Sequence, residues 1–362
     1  MADILFTGFP GFLGSTLLPR VLARAADDAA VCLVQAKFAD AAEQRRREIE
    51  QRHPDTAGRI RLVEGDITKA GLGLENGAAQ KRSVSEIYHL AAVYDLAVKR
   101  PVGMKVNVEG TRRVLEFAAE CGALERLQYV STCYVSGRWA GVFTEDDLEK
   151  DQSFNNYYEE TKFLAEVEVQ QAMRGGLPAT VYRPAIVVGD SRTGATQKYD
   201  GPYAVIRLIL KQPLVAMVPV IGDPSMVRVN LVPSDFVVDA IAHLSGDSKA
   251  IGKVYQLADP APLTVDELLD EIAHAIPKRV LRVPTFLSLA KPMLEFVPGA
   301  EWLTGIPPDS VDYFVHPTHY TCANTLADLA GTGIAAPPFP SYVERLVGFV
   351  KQHPEVGAGG MS

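Results

Sequence analysis

The sequence predicts an α/β protein built on a doubly wound parallel sheet, with a smaller α+β lobe towards the C-terminus. Three observations carry that expectation. The first half of the 362-residue chain alternates short β-branched or apolar runs with longer amphipathic stretches, the pattern of βαβ units whose strands lie parallel under covering helices. A glycine triple, Thr7-Gly8-Phe9-Pro10-Gly11-Phe12-Leu13-Gly14, directly follows the first apolar run. After Arg183-Pro184 the alternation weakens and prolines and glycines accumulate, which marks a change of architecture near residue 185.

Asp3 to Phe6 reads as the first strand, with a helix from Gly14 to Ala25 opening behind the glycines. Ala30 to Val34, Ile60 to Val63, Glu86 to Leu90, Arg126 to Val130 and Ala179 to Tyr182 have strand length and β-branched or apolar content. Between them Asp40 to His53, Val106 to Glu120 and Tyr157 to Met173 carry apolar residues three and four apart, as in Val114, Leu115 and Ala118, so each presents one face to a sheet. The sheet is expected to regain elements at Val227 to Leu231 and Lys253 to Leu257, with a helix from Asp235 to Leu244. That assigns residues 1–184 plus 227–258 to the sheet domain and residues 185–226 plus 259–362 to the smaller lobe, with a frayed tail from His353.

Composition narrows the class. Hydrophobic residues at 47% and charged residues at 22% describe a globular chain able to bury a core. A net charge of −8 without a basic stripe argues against nucleic acid as a partner. Cys32, Cys121, Cys133 and Cys322 show neither a CxxC pair nor a disulfide-framework spacing, as in a reduced compartment. The N-terminus has no basic segment ahead of its apolar run, so a cytoplasmic protein is expected. The longest apolar stretches, Ala204 to Ile221 and Phe286 to Leu303, are interrupted by Arg207, Lys211, Lys291, Glu295 and several prolines, so no bilayer-spanning helix is expected.

The glycine triple supplies the first chemistry. Gly8 suits a tight turn, Gly11 lets backbone approach a pyrophosphate, and Gly14 lets the following helix sit close to the strand with its positive end towards the anion. Such a turn heading a βαβ pattern marks a Rossmann-like dinucleotide site, with Phe9, Pro10, Phe12 and Leu13 completing the loop. An acidic residue about 20 positions further on would bind the adenosine ribose of NAD. Here the second strand instead ends Cys32-Leu33-Val34-Gln35-Ala36-Lys37. Gln35 and Lys37 suit a 2′-phosphate, so NADP(H) is preferred and NAD(H) stays possible; Lys37 is otherwise a solvated lysine.

Tyr158 and Lys162 lie four apart and share one helical face, where a cation can stabilise a phenolate and turn a tyrosine into an acid/base. Tyr157 is the poorer candidate because Thr161 stands four residues beyond it. Val130-Ser131-Thr132-Cys133 closes a predicted parallel strand, at the sheet edge where ligands bind in open α/β folds. Thr132, preferred over Ser131, can hold a carbonyl oxygen there. A metal at His316 and His319 is not expected, because Pro317 separates them and no partner ligand has metal spacing. Cys133 and Cys32 read as packing residues, and Arg45-Arg46-Arg47 as a solvated helix face.

These elements together resemble the extended short-chain dehydrogenase/reductase superfamily. Gly65-Asp66-Ile67-Thr68 is similar to its adenine-contacting turn, His89-Leu90-Ala91-Ala92 to its strand-end segment beside the cofactor, Asn107-Val108-Glu109-Gly110-Thr111 to its helix motif, and Arg183-Pro184 to the segment by the nicotinamide. Within it, Cys32-Leu33-Val34-Gln35-Ala36, Tyr129-Val130-Ser131-Thr132-Cys133-Tyr134-Val135 and Leu177-Pro178-Ala179-Thr180-Val181-Tyr182-Arg183-Pro184 resemble the fatty acyl-CoA reductase and thioester reductase branch, the "male sterility" type. The likeness runs well over residues 4 to 260 and loosely beyond. Gln35 departs from it, standing where that branch usually carries Arg, and the adenylation and carrier domains attached to many such reductases are not expected here. The resemblance implies cofactor contacts at Asp66, Ile67, Ala91, Ala92, Pro184 and Ile186 and a catalytic set of Thr132, Tyr158, Lys162 and Asn107, with Asn107 steadying the lysine's helix or a bridging water.

The expected reaction is reduction of an acyl thioester, on CoA or an acyl carrier protein, or of the derived aldehyde, with Tyr158 as proton donor. A nucleotide-sugar or hydroxysteroid-like substrate and a non-catalytic nucleotide sensor are the alternatives. The loop from Gly189 to Tyr203 is either a lid, with Arg192 and Lys198 meeting phosphates, or a plain connector. The aromatic and apolar residues Phe286, Leu287, Leu289, Met293, Leu294, Phe296, Trp302, Leu303, Tyr313 and Phe314 either line an acyl pocket or form the smaller lobe's core. Oligomeric state is left open.

Overall fold

A computed structural model describes residues 3–285 and 308–357. Its thirteen strands, in chain order, are β1 Asp3–Thr7, β2 Ala29–Val34, β3 Ile60–Glu64, β4 Val84–His89, β5 Arg126–Val130, β6 Gly141–Phe143, β7 Ala179–Pro184, β8 Ile186–Val188, β9 Val215–Ile221, β10 Leu231–Pro233, β11 Val254–Leu257, β12 Arg279–Thr285 and β13 Thr318–Tyr320. The helices are α1 Phe12–Leu22, α2 Ala39–Arg52, α3 Gly77–Ser83, α4 Arg100–Gly103, α5 Gly110–Ala119, α6 Tyr157–Arg174, α7 Pro202–Lys211, α8 Ser234–Leu244, α9 Val265–Ala275, α10 Ala323–Asp328 and α11 Val343–Gln352.

Seven strands form one parallel sheet in the order β11-β7-β5-β4-β1-β2-β3. The chain winds outward from β1 in one direction and then from β4 in the other, so the order reverses between β1 and β4. Above that reversal the connecting segments leave the sheet in opposite directions and open a crevice at the strands' carboxyl ends. Strand interiors are buried because both faces are covered, as β2, Ala29 to Val34, illustrates with every residue inside. One face packs Phe6, Leu17, Tyr88, Phe236 and Ile241 under α1 and α8. The other packs Leu5, Ile87, Val114, Phe117 and Val169 under α5 and α6.

The expected return of Val227 to Leu231 to this sheet does not occur. Leu231 to Pro233 instead pairs in parallel with Ile186 to Val188 in a separate two-stranded sheet. The physical reason lies in two consecutive amides: Ala185 donates to Leu257 of β11, but Ile186 donates to Asn230, so the chain leaves the large sheet immediately after Pro184. A third core then forms from α7, β9, α9 and α11, with Tyr203, Ile206, Ala216, Leu269, Ile272 and Leu346 inside it. Helix α9 starts at a capping box in which Thr264 accepts from the Glu267 amide and Glu267 reaches back to Thr264. Among the described residues no helix is long and apolar enough to cross a membrane. All four cysteines are buried and unpaired. Among the described residues no group of three or more His, Cys, Asp or Glu could hold a metal.

Candidate active site

The crevice is a cavity of about 1210 Å³ running from the glycine turn to the third core. At its head Gly8 takes a φ of +91°, a region L side chains rarely adopt. A Cβ there would lie 2.8 Å from the Ala91 nitrogen, so the turn is pressed against the end of β4. A Cβ at either Gly11 or Gly14 would lie 2.7 Å from the Gly8 carbonyl oxygen. Helix α1 begins at Gly11 without a side-chain cap and with no acidic residue in its first turn. The Gly11 amide donates to the Gly8 carbonyl at 2.9 Å and closes the turn, and the α1 amides that follow it lie at the cavity wall formed by residues 7–14. The shape and donors of this turn fit a pyrophosphate.

Gln35, Lys37, Asp66 and Ile67 line the next stretch. Asp66 accepts from the amide and hydroxyl of Thr68, each at 2.9 Å. Burial raises its pKa, but the Thr68 bonds and one from Gln35 outweigh that and hold it below the ordinary carboxylate value. Lys37 is exposed, its ammonium 4.6 Å from the centre of the Phe38 ring.

In the middle, Ala91, Ala92, Thr132, Tyr158, Lys162, Pro184 and Ile186 meet on one surface. Tyr158 is buried, and burial drives its pKa upward, opposed by the neighbouring Thr132 hydroxyl. That hydroxyl accepts from the Tyr134 amide at 3.3 Å and donates to the Pro184 carbonyl at 3.5 Å. The Tyr94 ring meets Tyr158 edge-on, centroids 5.2 Å apart. Lys162 donates to the Tyr129 hydroxyl at 3.0 Å and to the Val130 carbonyl at 2.8 Å, leaving one ammonium proton for the cavity it lines. Burial lowers its pKa to about 7, opposed by the Glu166 carboxylate one turn along α6. Ser131 donates instead to Glu166, which separates its role from that of Thr132.

Every predicted site residue except Asn107 borders the cavity. Asn107 accepts from the Val93 amide at 2.8 Å and donates to the Thr161 hydroxyl at 3.0 Å, tying the segment after β4 to α6. In the 189–203 loop, Lys198 borders the cavity, 3.3 Å from Asp200 and with its ammonium 4.5 Å from the Tyr94 ring centre. Arg192 lies outside the cavity lining, 3.4 Å from Asp190 and 3.8 Å from Asp235. Sequence reasoning missed Tyr94, Tyr129 and Glu166. Only Glu166 carried a signal, four residues past Lys162 on the same helical face. Phe314 and Tyr313 border the cavity, while residues 286–303 of the expected acyl pocket lie outside the described residues.

A seven-stranded parallel sheet, an uncapped glycine turn at its reversal and a Thr132, Tyr158 and Lys162 set beside it define an extended short-chain dehydrogenase/reductase, a class of NAD(P)-dependent oxidoreductases. Residues 6–241, more than half of the chain, match the family described as "Male sterility protein", and the chain belongs to that family. It is 30% identical over 284 residues to a subunit of the linear gramicidin synthase of Brevibacillus parabrevis, covering 75% of this chain and 5% of that protein. It is 26% identical over 301 residues to the aldehyde reductase lnbA of Aspergillus flavus, covering 78% of this chain and 29% of that one. The chain thus spans less than a third of the length of either relative. The terminal R domain from the myxalamid PKS-NRPS biosynthetic pathway superposes with a TM-score of 0.80 at 28% identity, covering 97% of this chain and 91% of that domain.

Proposed function

We propose that this protein is an NADPH-dependent reductase of acyl thioesters, carried on CoA or an acyl carrier protein, or of the aldehydes derived from them. The observation that carries the reading is the cavity itself: the glycine turn with the uncapped start of α1, the Thr132 and Tyr158 hydroxyls and an apolar wall share one continuous space. Similarity to the terminal R domain and to an aldehyde reductase supports it.

The residues present fit a nicotinamide dinucleotide. Gly8 to Gly14 would hold the pyrophosphate, Gln35, Lys37, Asp66 and Ile67 the adenosine end, and Ala91, Ala92, Pro184, Ile186, Tyr158 and Lys162 the nicotinamide end. When bound in reduced form, that group supplies a hydride. Thr132 and Tyr158 then hold the substrate's carbonyl oxygen as charge builds on it. Tyr158, kept protonated by burial, gives up its proton. Lys162, charged below about pH 7 by the balance of burial and Glu166, steadies the phenolate left behind. With a thioester the reduced adduct expels a thiol and leaves an aldehyde; with an aldehyde the product is an alcohol. The test is consumption of NADPH against acyl-CoAs, aldehydes and nucleotide sugars; turnover confined to nucleotide sugars would overturn the assignment.

The two ends of the cavity can be tested separately. Lys37→Ala should weaken NADPH by roughly 1 to 3 kcal/mol, the range for a charge-assisted hydrogen bond, and leave NADH unchanged. Fluorescence titration of both cofactors checks this, and equal losses would refute a 2′-phosphate contact. At the other end Val205, Val229, Val265, Leu268, Leu269 and Phe314 face the cavity, a wall suited to hydrocarbon and poor in partners for sugar hydroxyls. For a thioester series kcat/KM should therefore climb with chain length, by up to about fourfold per methylene at about 0.8 kcal/mol each, until the wall is covered. A flat profile would rule out an acyl pocket.

A further inference from the structure

Two loops from different parts of the chain meet at one ring beside the acid/base. Tyr94 lies in the segment between β4 and α4, and its ring stands edge-on to that of Tyr158, with centroids 5.2 Å apart and planes at 79°. The Lys198 ammonium, from the loop between β8 and α7, lies over the same Tyr94 ring, 4.5 Å from its centre. All three side chains belong to residues that border the cavity. Tyr158 is buried and Tyr94 half-exposed, so Tyr94 is the outer ring of the pair.

Both loops hold these side chains in place. Asn107 accepts from the Val93 amide at 2.8 Å and donates to the Val93 carbonyl at 3.4 Å, fixing the backbone just before Tyr94. Just after it, the Asp95 carboxylate accepts from the Ala97 amide at 3.0 Å and the Asp95 carbonyl from the Val98 amide at 3.1 Å, which closes a turn. Tyr199, next to Lys198, is buried in the third core. Its amide donates to the Gly357 carbonyl and its hydroxyl to the His353 carbonyl, each at 2.9 Å. Tyr94 is thus carried by the segment that leaves the large sheet, and Lys198 by the third core. The expectation that Arg192 and Lys198 meet phosphates finds both already facing carboxylates, Arg192 those of Asp190 and Asp235 and Lys198 that of Asp200.

A tyrosine ring turns about two side-chain bonds, so the place of its hydroxyl depends on what packs against the ring. Among the described residues Tyr94 is the only aromatic ring in contact with Tyr158. We infer that Tyr94 is a positioning residue that sets the Tyr158 ring beside Thr132, and that Lys198 steadies Tyr94 from the third core. One side chain then links the loop on the substrate side to the acid/base. The kinetic consequences rest on the reductase reading; the ring contact does not.

The test pairs kinetics with crystal structures of the cofactor-free variants. Tyr94→Leu, which takes the ring away, should lower kcat by about ten- to a hundredfold, the worth of a misplaced reacting group, with NADPH affinity within about twofold. In its structure the Tyr158 ring should be displaced or divided between two orientations, where the wild type shows one. Tyr94→Phe, which keeps the ring, should restore both the single orientation and most of the lost kcat. Lys198→Met should lower kcat by about two- to fivefold, the worth of a cation over an exposed ring, and Lys198→Arg should recover it. In the Tyr94→Leu background the Lys198→Met loss should vanish, because its route to Tyr158 is gone. Asp200 loses its partner in both backgrounds, so the difference between them reports the ring contact. A Tyr158 ring or a kcat unmoved by Tyr94→Leu would overturn the positioning role, and equal Lys198→Met losses in both backgrounds would overturn the link to the third core. If the wild type turns over no thioester or aldehyde, the reductase reading fails instead, and the structures alone decide whether Tyr94 sets the Tyr158 ring.

Discussion

Tyr158→Phe is expected to cut turnover by about two to four orders of magnitude, the usual worth of a positioned acid/base, while NADPH affinity stays within about twofold. The substitution removes one oxygen from a buried ring and leaves the edge-on contact with Tyr94, so folding should be retained. What is lost is the phenol that stands beside the Thr132 hydroxyl on the cavity wall, hence the proton for the carbonyl oxygen. Tyr157 is the internal control. It stands at the start of α6, 48% exposed, and does not border the cavity. Tyr157→Phe should therefore change kcat less than about threefold, within the small range of surface substitutions. Steady-state kinetics on both variants with one aldehyde and one thioester decides the matter; equal losses would put the acid/base elsewhere.

What could be read from the sequence was local. Gly8, Gly11 and Gly14 declare themselves because one backbone turn demands them, and Tyr158 and Lys162 because four residues make a helical turn. Thr132 follows from the end of a strand that apolar content alone locates. The illegible features depend on residues brought together from far along the chain. Tyr129 faces inward from a strand, but nothing in its neighbourhood says that Lys162 will arrive there. Tyr94 and Asp200 meet over Tyr158 from two loops without periodicity. The departure of β8 from the large sheet is decided by the Asn230 carbonyl, a partner more than forty positions ahead of Ile186. The capping box at Thr264 and Glu267 was legible and would have announced α9.

The largest effect on stability is expected from the pair behind the site, Arg183 and Glu166, both with fully buried side chains. Arg183 reaches one Glu166 oxygen with two nitrogens, at 2.9 and 2.6 Å, while Ser131 donates to the other oxygen. The guanidinium also donates to the carbonyls of Asp147 and Thr144 and lies over the Phe143 ring. A buried pair of this kind owes little net stability to its charges, because desolvating both costs nearly what their attraction returns. Breaking it is another matter. Glu166→Ala strands a guanidinium where water cannot reach, and should cost about 3 to 5 kcal/mol in denaturant unfolding. Arg183→Met should cost about as much by stranding the carboxylate. The double variant Glu166→Leu with Arg183→Met leaves no charge behind, so its loss should be smaller than that of either single variant. Additive losses would mean that the two side chains stabilise the fold independently. Glu166→Gln separates structure from chemistry, since it keeps the shape but removes the anion that opposes the burial penalty on Lys162. It should move the alkaline limb of activity to lower pH even where the protein remains folded, and an unmoved limb would show that Glu166 serves the core alone.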